Sequence, residues 1–187
     1  MTLCNASSSR LIVVDIQERL TSVMKPEIVE AMTKGCTLLL DAAAILDIPV
    51  LCTEQYPKGL GPTLPTIDEH MPDNIRKIDK TCFSGASVSA FQEALAAGSR
   101  NQLILAGIES HVCILQTALG LKAQGYEVFV VEDAVCSRNP AHHQNAMDRM
   151  RQHGIIIINT ESVIFEWLRD SRHTQFSSIS SLLKRSS

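Results

Sequence analysis

Short unbroken apolar runs alternate along this chain with stretches whose apolar residues recur at every third or fourth position. The first rhythm predicts strands buried on both faces, and the second predicts amphipathic helices. Strands are expected at R-L-I-V-V-D-I (10–16), P-V-L-C-T-E (49–54), I-R-K-I-D-K (75–80), L-I-L-A (103–106), E-V-F-V-V-E-D (127–133) and I-I-I-I-N-T (155–160). Pro26 opens a long helix with Ile28, Met32, Gly35, Leu39, Ala42 and Leu46 on its inward face, and Pro49 stops it. Further helices are expected over 87–97, from Val112 through Leu115 and Leu119, over 140–153 and over 161–170. Residues 55–74 hold four prolines and two glycines and read as a long irregular connection. Such connections in compact domains are usually functional or disordered.

Strands alternating with helices predict a three-layer α/β/α domain with a doubly wound, mostly parallel, Rossmann-like sheet. Residues 10–170 carry that domain, after a loose arm at 1–9. Residues 171–187 form an amphipathic tail, with Phe176, Ile179 and Leu183 at helical spacing, expected to pack on the domain or on a partner subunit.

A chain of 187 residues suits one such domain, and 45% hydrophobic with 20% charged residues is ordinary for a globular protein. A formal net charge of −3 gives no basic footprint, so nucleic acid is not an expected partner. No apolar run has the length of a membrane span, and M-T-L-C-N-A-S-S-S-R lacks the apolar core of a secretory signal. The six cysteines, at 4, 36, 52, 82, 113 and 136, show neither C-x-x-C nor zinc-like spacing. Reduced thiols in a cytoplasmic protein are the expectation.

In a doubly wound sheet the carboxyl ends of the strands share one edge, where ligands bind. Asp15, Glu54, Lys80 and Asp133 end strands, and Cys113 follows the fourth strand in the first turn of the next helix. Backbone N–H groups there favour a thiolate. Cys136 also follows a strand and is the rival nucleophile, but polar S-R-N follows it instead of a helix start. His111 reads as a pocket wall or surface residue, and His142 and His143 as part of a solvated helix start.

The segments I-V-V-D-I-Q-E-R-L, T-E-Q-Y-P-K-G-L-G-P-T, D-K-T-C-F-S-G and L-A-G-I-E-S-H-V-C-I-L-Q-T-A-L, with R-M-R-Q-H-G and S-S-L-L-K, make the chain resemble the isochorismatase-like cysteine hydrolases over residues 10–185. The loop T-E-Q-Y-P-K-G-L-G-P-T resembles the isochorismatase-domain branch more than the nicotinamidases. The resemblance implies an isochorismatase-like three-layer fold and an Asp–Lys–Cys triad falling on Asp15, Lys80 and Cys113. It also implies a cis peptide at Ile108–Glu109, whose redirected N–H would join that of Cys113 in an oxyanion hole. The nicotinamidase metal ligands have no counterpart in T-E-Q-Y-P-K, so neither a catalytic metal nor a cofactor is expected. Family habit suggests a homo-oligomer, a dimer or larger.

Making a thiol of pKa about 8.5 mostly anionic at neutral pH takes roughly 2.7 kcal/mol. An ammonium about 4 Å away supplies about 4 kcal/mol at an effective dielectric near 20, more than a helix start does. Lys80 is therefore expected to hold Cys113 as a thiolate, with Asp15 as general base. Phe83 is expected as a pocket wall beside Lys80, with Tyr56 or Leu60 closing the mouth and Glu54 and His111 lining the pocket. The function expected is hydrolysis of a small amide or related acyl compound through a Cys113 thioester. A non-catalytic oligomeric binding module with the same fold is the alternative, and a thiol redox protein is disfavoured by the missing C-x-x-C.

Overall fold

The computed structural model describes residues 2–73 and 75–186. Met1, Asn74 and Ser187, which fall in three of the segments expected above, lie outside that description. Among the described residues six strands form one sheet: β1 (Ser9–Val14), β2 (Val50–Gln55), β3 (Lys77–Lys80), β4 (Gln102–Ile108), β5 (Glu127–Cys136) and β6 (Ile156–Ile158). Their order is β3-β2-β1-β4-β5-β6, and all five pairings are parallel rather than mostly so. The order reverses between β1 and β4, and that crevice is where doubly wound sheets bind ligands.

Helices cover both faces, as a parallel sheet requires. Those in chain order are α1 (Glu18–Thr21), α2 (Pro26–Ile45), α3 (Pro57–Leu60), α4 (Pro65–Asp68), α5 (Ser89–Ala96), α6 (Leu115–Ala123), α7 (Pro140–Gln152), α8 (Thr160–Leu168) and α9 (Phe176–Ser186). Leu11 and Val13 of β1 point to a core shared with α2, α8 and α9. Ile12 and Val14 point to the opposite core, shared with α5, α6 and α7. Alternate residues thus face opposite layers, and every residue of β1 and β4 is buried.

Three departures from the sequence reading have physical causes. The arm before β1 is not loose: the Cys4 N–H donates to Glu166 Oε2 at 2.6 Å, Arg169 donates to the Cys4 carbonyl at 2.7 Å, and Asn5 N–H donates to Gln102 Oε1 at 2.7 Å. Cys4 is fully buried there. The 55–74 connection is not structureless, because it contains α3 and α4. Buried Gln17 ties it down, donating to the Gln55 and Gly61 carbonyls at 3.0 and 2.7 Å and accepting from Gln55 N–H at 2.7 Å. The turn after β4 is a π-helical turn, Ser110–Ile114, which shifts the helical phase of the residues beyond it. The buried face of α6 therefore runs through Leu115, Ala118 and Leu121, whereas Val112 and Leu119 are half-buried.

The close approach of β1 and β4 depends on Gly107. It adopts φ +123, and a Cβ there would lie 2.1 Å from the Val14 carbonyl oxygen. A Gly107→Ala substitution is expected to destabilise the fold by at least about 1–3 kcal/mol from the backbone conformation alone, with the clash added. Urea unfolding measures this, and a midpoint equal to the parent's would contradict the close approach.

Candidate active site

Asp15 follows β1 directly, Lys80 ends β3, and Cys113 sits in the π turn that follows β4. The fold brings all three together in the crevice beside β1 and β4. The Lys80 Nζ lies 2.6 Å from Asp15 Oδ2, with both side chains fully buried, and 3.7 Å from Cys113 Sγ. Nζ also donates to Gln55 Oε1 at 2.5 Å and to the carbonyls of Phe83 and Cys82 at 3.1 and 3.3 Å. Asp15 adopts a left-handed backbone, φ +53, uncommon for a non-glycine residue. Thr53 Oγ1 donates to Asp15 Oδ1 at 2.7 Å. Oδ2 is buried and carries the short contact with Nζ.

The sulfur's charge state is a correction. Burial pushes the Cys113 thiol up to about 12, the Asp15 carboxylate pushes the same way, and Lys80 opposes them without prevailing. Weighing the ammonium's attraction alone omits the loss of water around a sulfur whose residue is only 6% exposed. Cys113 is therefore a neutral thiol at pH 7, set beside a carboxylate and an ammonium.

Other expected residues fall differently. The Ile108–Glu109 peptide is cis. Glu54 faces away from Lys80, because Thr53 and Gln55 take the alternate positions on β2 that face Asp15 and Lys80. Its Oε1 accepts from Thr63 N–H at 2.8 Å and Thr63 Oγ1 at 2.6 Å, anchoring the 55–74 connection instead of lining a pocket. Tyr56 and Phe83 are exposed at the rim beside Lys80, joined to it through backbone contacts, and Leu60 is half-buried on α3. His111 Nδ1 is 2.9 Å from Ser137 Oγ, so its ring is turned toward the start of α7. The rival Cys136 is also pushed up to about 12, by burial and then by Glu109, with no cation acting on it.

Thr53 and Gln55, which hold Asp15 and Lys80, escaped the sequence reading. Their signal was available: in T-E-Q they flank Glu54 and share the face it does not. A cavity of about 610 Å³ opens elsewhere, between α2, the end of β5 and the starts of α7 and α8, and neither Asp15, Lys80 nor Cys113 lines it.

The isochorismatase domain profile matches residues 9–162. The chain belongs to the isochorismatase family. Isochorismatase domain-containing protein 2A of Mus musculus is 41% identical over 180 residues, which is 95% of this chain and 83% of that protein. The solved structure of MAR1 ribonuclease from Caenorhabditis elegans superposes with a TM-score of 0.91 at 38% identity, covering 98% of this chain and 93% of that one. The Escherichia coli YcaC gene product, described as an octameric hydrolase of unknown specificity, superposes at 0.89 with 26% identity over 98% and 90%. Isochorismatase-family domains are hydrolases, and at least one homologue is oligomeric. Among the described residues no helix is long and apolar enough to cross a membrane.

Because Asp15 raises the thiol and Lys80 lowers it, two substitutions should move it in opposite directions. Iodoacetamide labelling of Cys113 is expected to be slow at pH 7 and to climb well above pH 9 in the parent. Asp15→Asn should bring the climb down by about one pH unit or more, and Lys80→Met should move it up. Each variant breaks a buried ion pair and should lose about 3–5 kcal/mol of stability. Shifts in the same direction would contradict the opposed roles.

Proposed function

We propose that this isochorismatase-family chain is a cysteine hydrolase of small amides or related acyl compounds, with Cys113 as nucleophile, Asp15 as general base and Lys80 as electrostatic partner. The observation that carries this reading is one sulfur with an ammonium at 3.7 Å, the same ammonium lying 2.6 Å from a buried carboxylate. Asp15 takes the thiol proton as Sγ attacks the carbonyl carbon. Negative charge then develops on the carbonyl oxygen, and the N–H groups of Glu109 and Cys113 are the donors assigned to it. Collapse of the adduct expels the amine, which takes the proton from Asp15 and leaves a thioester on Cys113. Asp15 next deprotonates a water molecule, which attacks the thioester, and the thiol is regenerated as the acid departs.

A high thiol pKa suits this sequence of steps. A thiolate preformed by losing its proton to solvent would face the Asp15 carboxylate in a dry site, whereas a proton passed to Asp15 during attack never places two anions side by side. Tyr56, Phe83 and Leu60, at the rim, are assigned as walls that meet the substrate. No metal or cofactor is assigned to the reaction. A homo-oligomer in the cytoplasm completes the reading, its oligomeric part supported by the octameric state of the E. coli homologue.

A panel of small amides, incubated with the parent chain and with Cys113→Ala, tests the reading by intact-mass spectrometry and product release. The expected result is an acyl adduct on the parent at residue 113 and turnover reduced by at least about 10³-fold in the variant. Full turnover by Cys113→Ala would overturn it. RNA belongs in the panel because of the worm ribonuclease: cleavage of RNA by both proteins, with every amide left intact, would overturn the acyl-transfer reading as well.

A further inference from the structure

Three successive residues of the nucleophile loop, Glu109, Ser110 and His111, are each bonded through their side chains to the segment running from the end of β5 into α7. Glu109 Oε2 accepts from the Arg138 backbone N–H at 2.9 Å, and its Oε1 lies 3.2 Å from an Arg138 guanidinium nitrogen. Ser110 Oγ shares a hydrogen bond with His143 Nδ1 at 2.9 Å. His111 Nδ1 shares one with Ser137 Oγ at 2.9 Å, and its ring lies 4.7 Å from that of His142. Ser110 and Ser137 are almost completely buried, so these are built contacts rather than surface encounters.

We propose that Ser137, Arg138 and His143 form a clamp that positions the Cys113 turn, making them positioning residues for the chemistry at Cys113. This proposal rests on the hydrolase reading for its purpose, but its own readout is the sulfur's environment. The fold does not require the clamp to hold β4 against β5, because Gly107 and Ile108 already pair with Val135 and Cys136. What the ladder leaves unheld is the π turn beyond it, where Val112 and Ile114 donate back to the Glu109 carbonyl. Rotating that turn would carry Sγ away from Asp15 and Lys80, and a misplacement of about 1 Å can lower a rate by about 10²-fold. Burial also holds His143 below the ordinary histidine range, with Glu132 and Arg151 acting in opposite directions, so the Ser110 bond is one between neutral partners at pH 7.

The test compares Ser110→Ala, Ser137→Ala and His143→Gln with Ser110→Thr, which keeps the hydroxyl. Iodoacetamide labelling of Cys113 is followed against pH, and the titration of its ¹³Cβ resonance in cysteine-labelled protein reports the same midpoint without needing reactivity. The expected result is a displaced titration midpoint and labelling slowed about tenfold in the three disrupting variants. Thermal midpoints should fall by only about 2–4 °C, the scale of one lost hydrogen bond. Ser110→Thr should restore most of both signals. Midpoints and rates that match the parent in all three variants, or losses that track global unfolding and are not recovered by Ser110→Thr, would overturn the clamp. A displaced midpoint in a chain that forms no acyl adduct would uphold the clamp and remove the hydrolase reading, so the two fail separately.

Discussion

A fully buried ion pair between Asp15 and Lys80, 2.6 Å apart, is the contact on which the arrangement of the crevice depends. Two charges withdrawn from water are tolerated only when each faces the other and their remaining capacity is met by polar neighbours. The fold meets that condition with Thr53 on one carboxylate oxygen and with Gln55, Cys82 and Phe83 oxygens around the ammonium. These partners come from β2 and from the turn after β3, so the pair ties together the ends of β1, β2 and β3. The sulfur is the late addition, delivered from the far side of the crevice by β4. Its position therefore depends on two things the ion pair does not control: the close β1–β4 packing permitted by Gly107, and the turn that follows Ile108.

Much of this was legible in the sequence, and the reason is topological. Apolar runs separated by amphipathic stretches leave few alternatives to a parallel sheet, and parallelism alone sends Asp15, Lys80 and Cys113 to one edge. Strand positions were recovered to within a few residues for the same reason, since R-L-I-V-V and L-I-L-A can be buried on both sides only in the centre of such a sheet. Faces were harder. Glu54 was expected to end its strand as Asp15 does, yet the candidate site lies on the layer faced by Thr53 and Gln55, and a strand's alternation does not announce which face that will be. The π turn was illegible because one extra residue per turn leaves no compositional trace. Beyond it, Leu115, Ala118 and Leu121 of α6 are buried, while Val112 in the turn and Leu119 are half-buried. The arm at the amino end was misjudged because its anchors, Glu166, Arg169 and Gln102, are distant in sequence.

The sulfur's protonation state was also misjudged, and for a deeper reason. Pairwise attraction can be estimated from a lysine and a cysteine that are expected to meet, but desolvation is a property of everything around them. Cys36, Cys52 and Cys136 illustrate the rule: burial raises all of them, and no neighbouring charge reverses it. Cys113 differs from them in its company and not in the direction of its shift. Of these four sulfurs, it is the one on which Lys80 and Asp15 both act, with opposite effects.

Under the proposed reaction, that company makes a neutral thiol no handicap. Before attack, the crevice holds one positive charge on Lys80 and one negative charge on Asp15. If the carboxylate takes the proton while sulfur bonds to carbon, the negative charge leaves Asp15 and reappears on the substrate oxygen. The total in the dry site is then unchanged. Losing the thiol proton to solvent beforehand would instead place two anions against one cation, where low dielectric makes the excess repulsion severe. In the proposed reaction, a buried base and a buried ammonium beside a protonated sulfur would move charge without adding any, and the oxygens around Nζ would not have to rearrange.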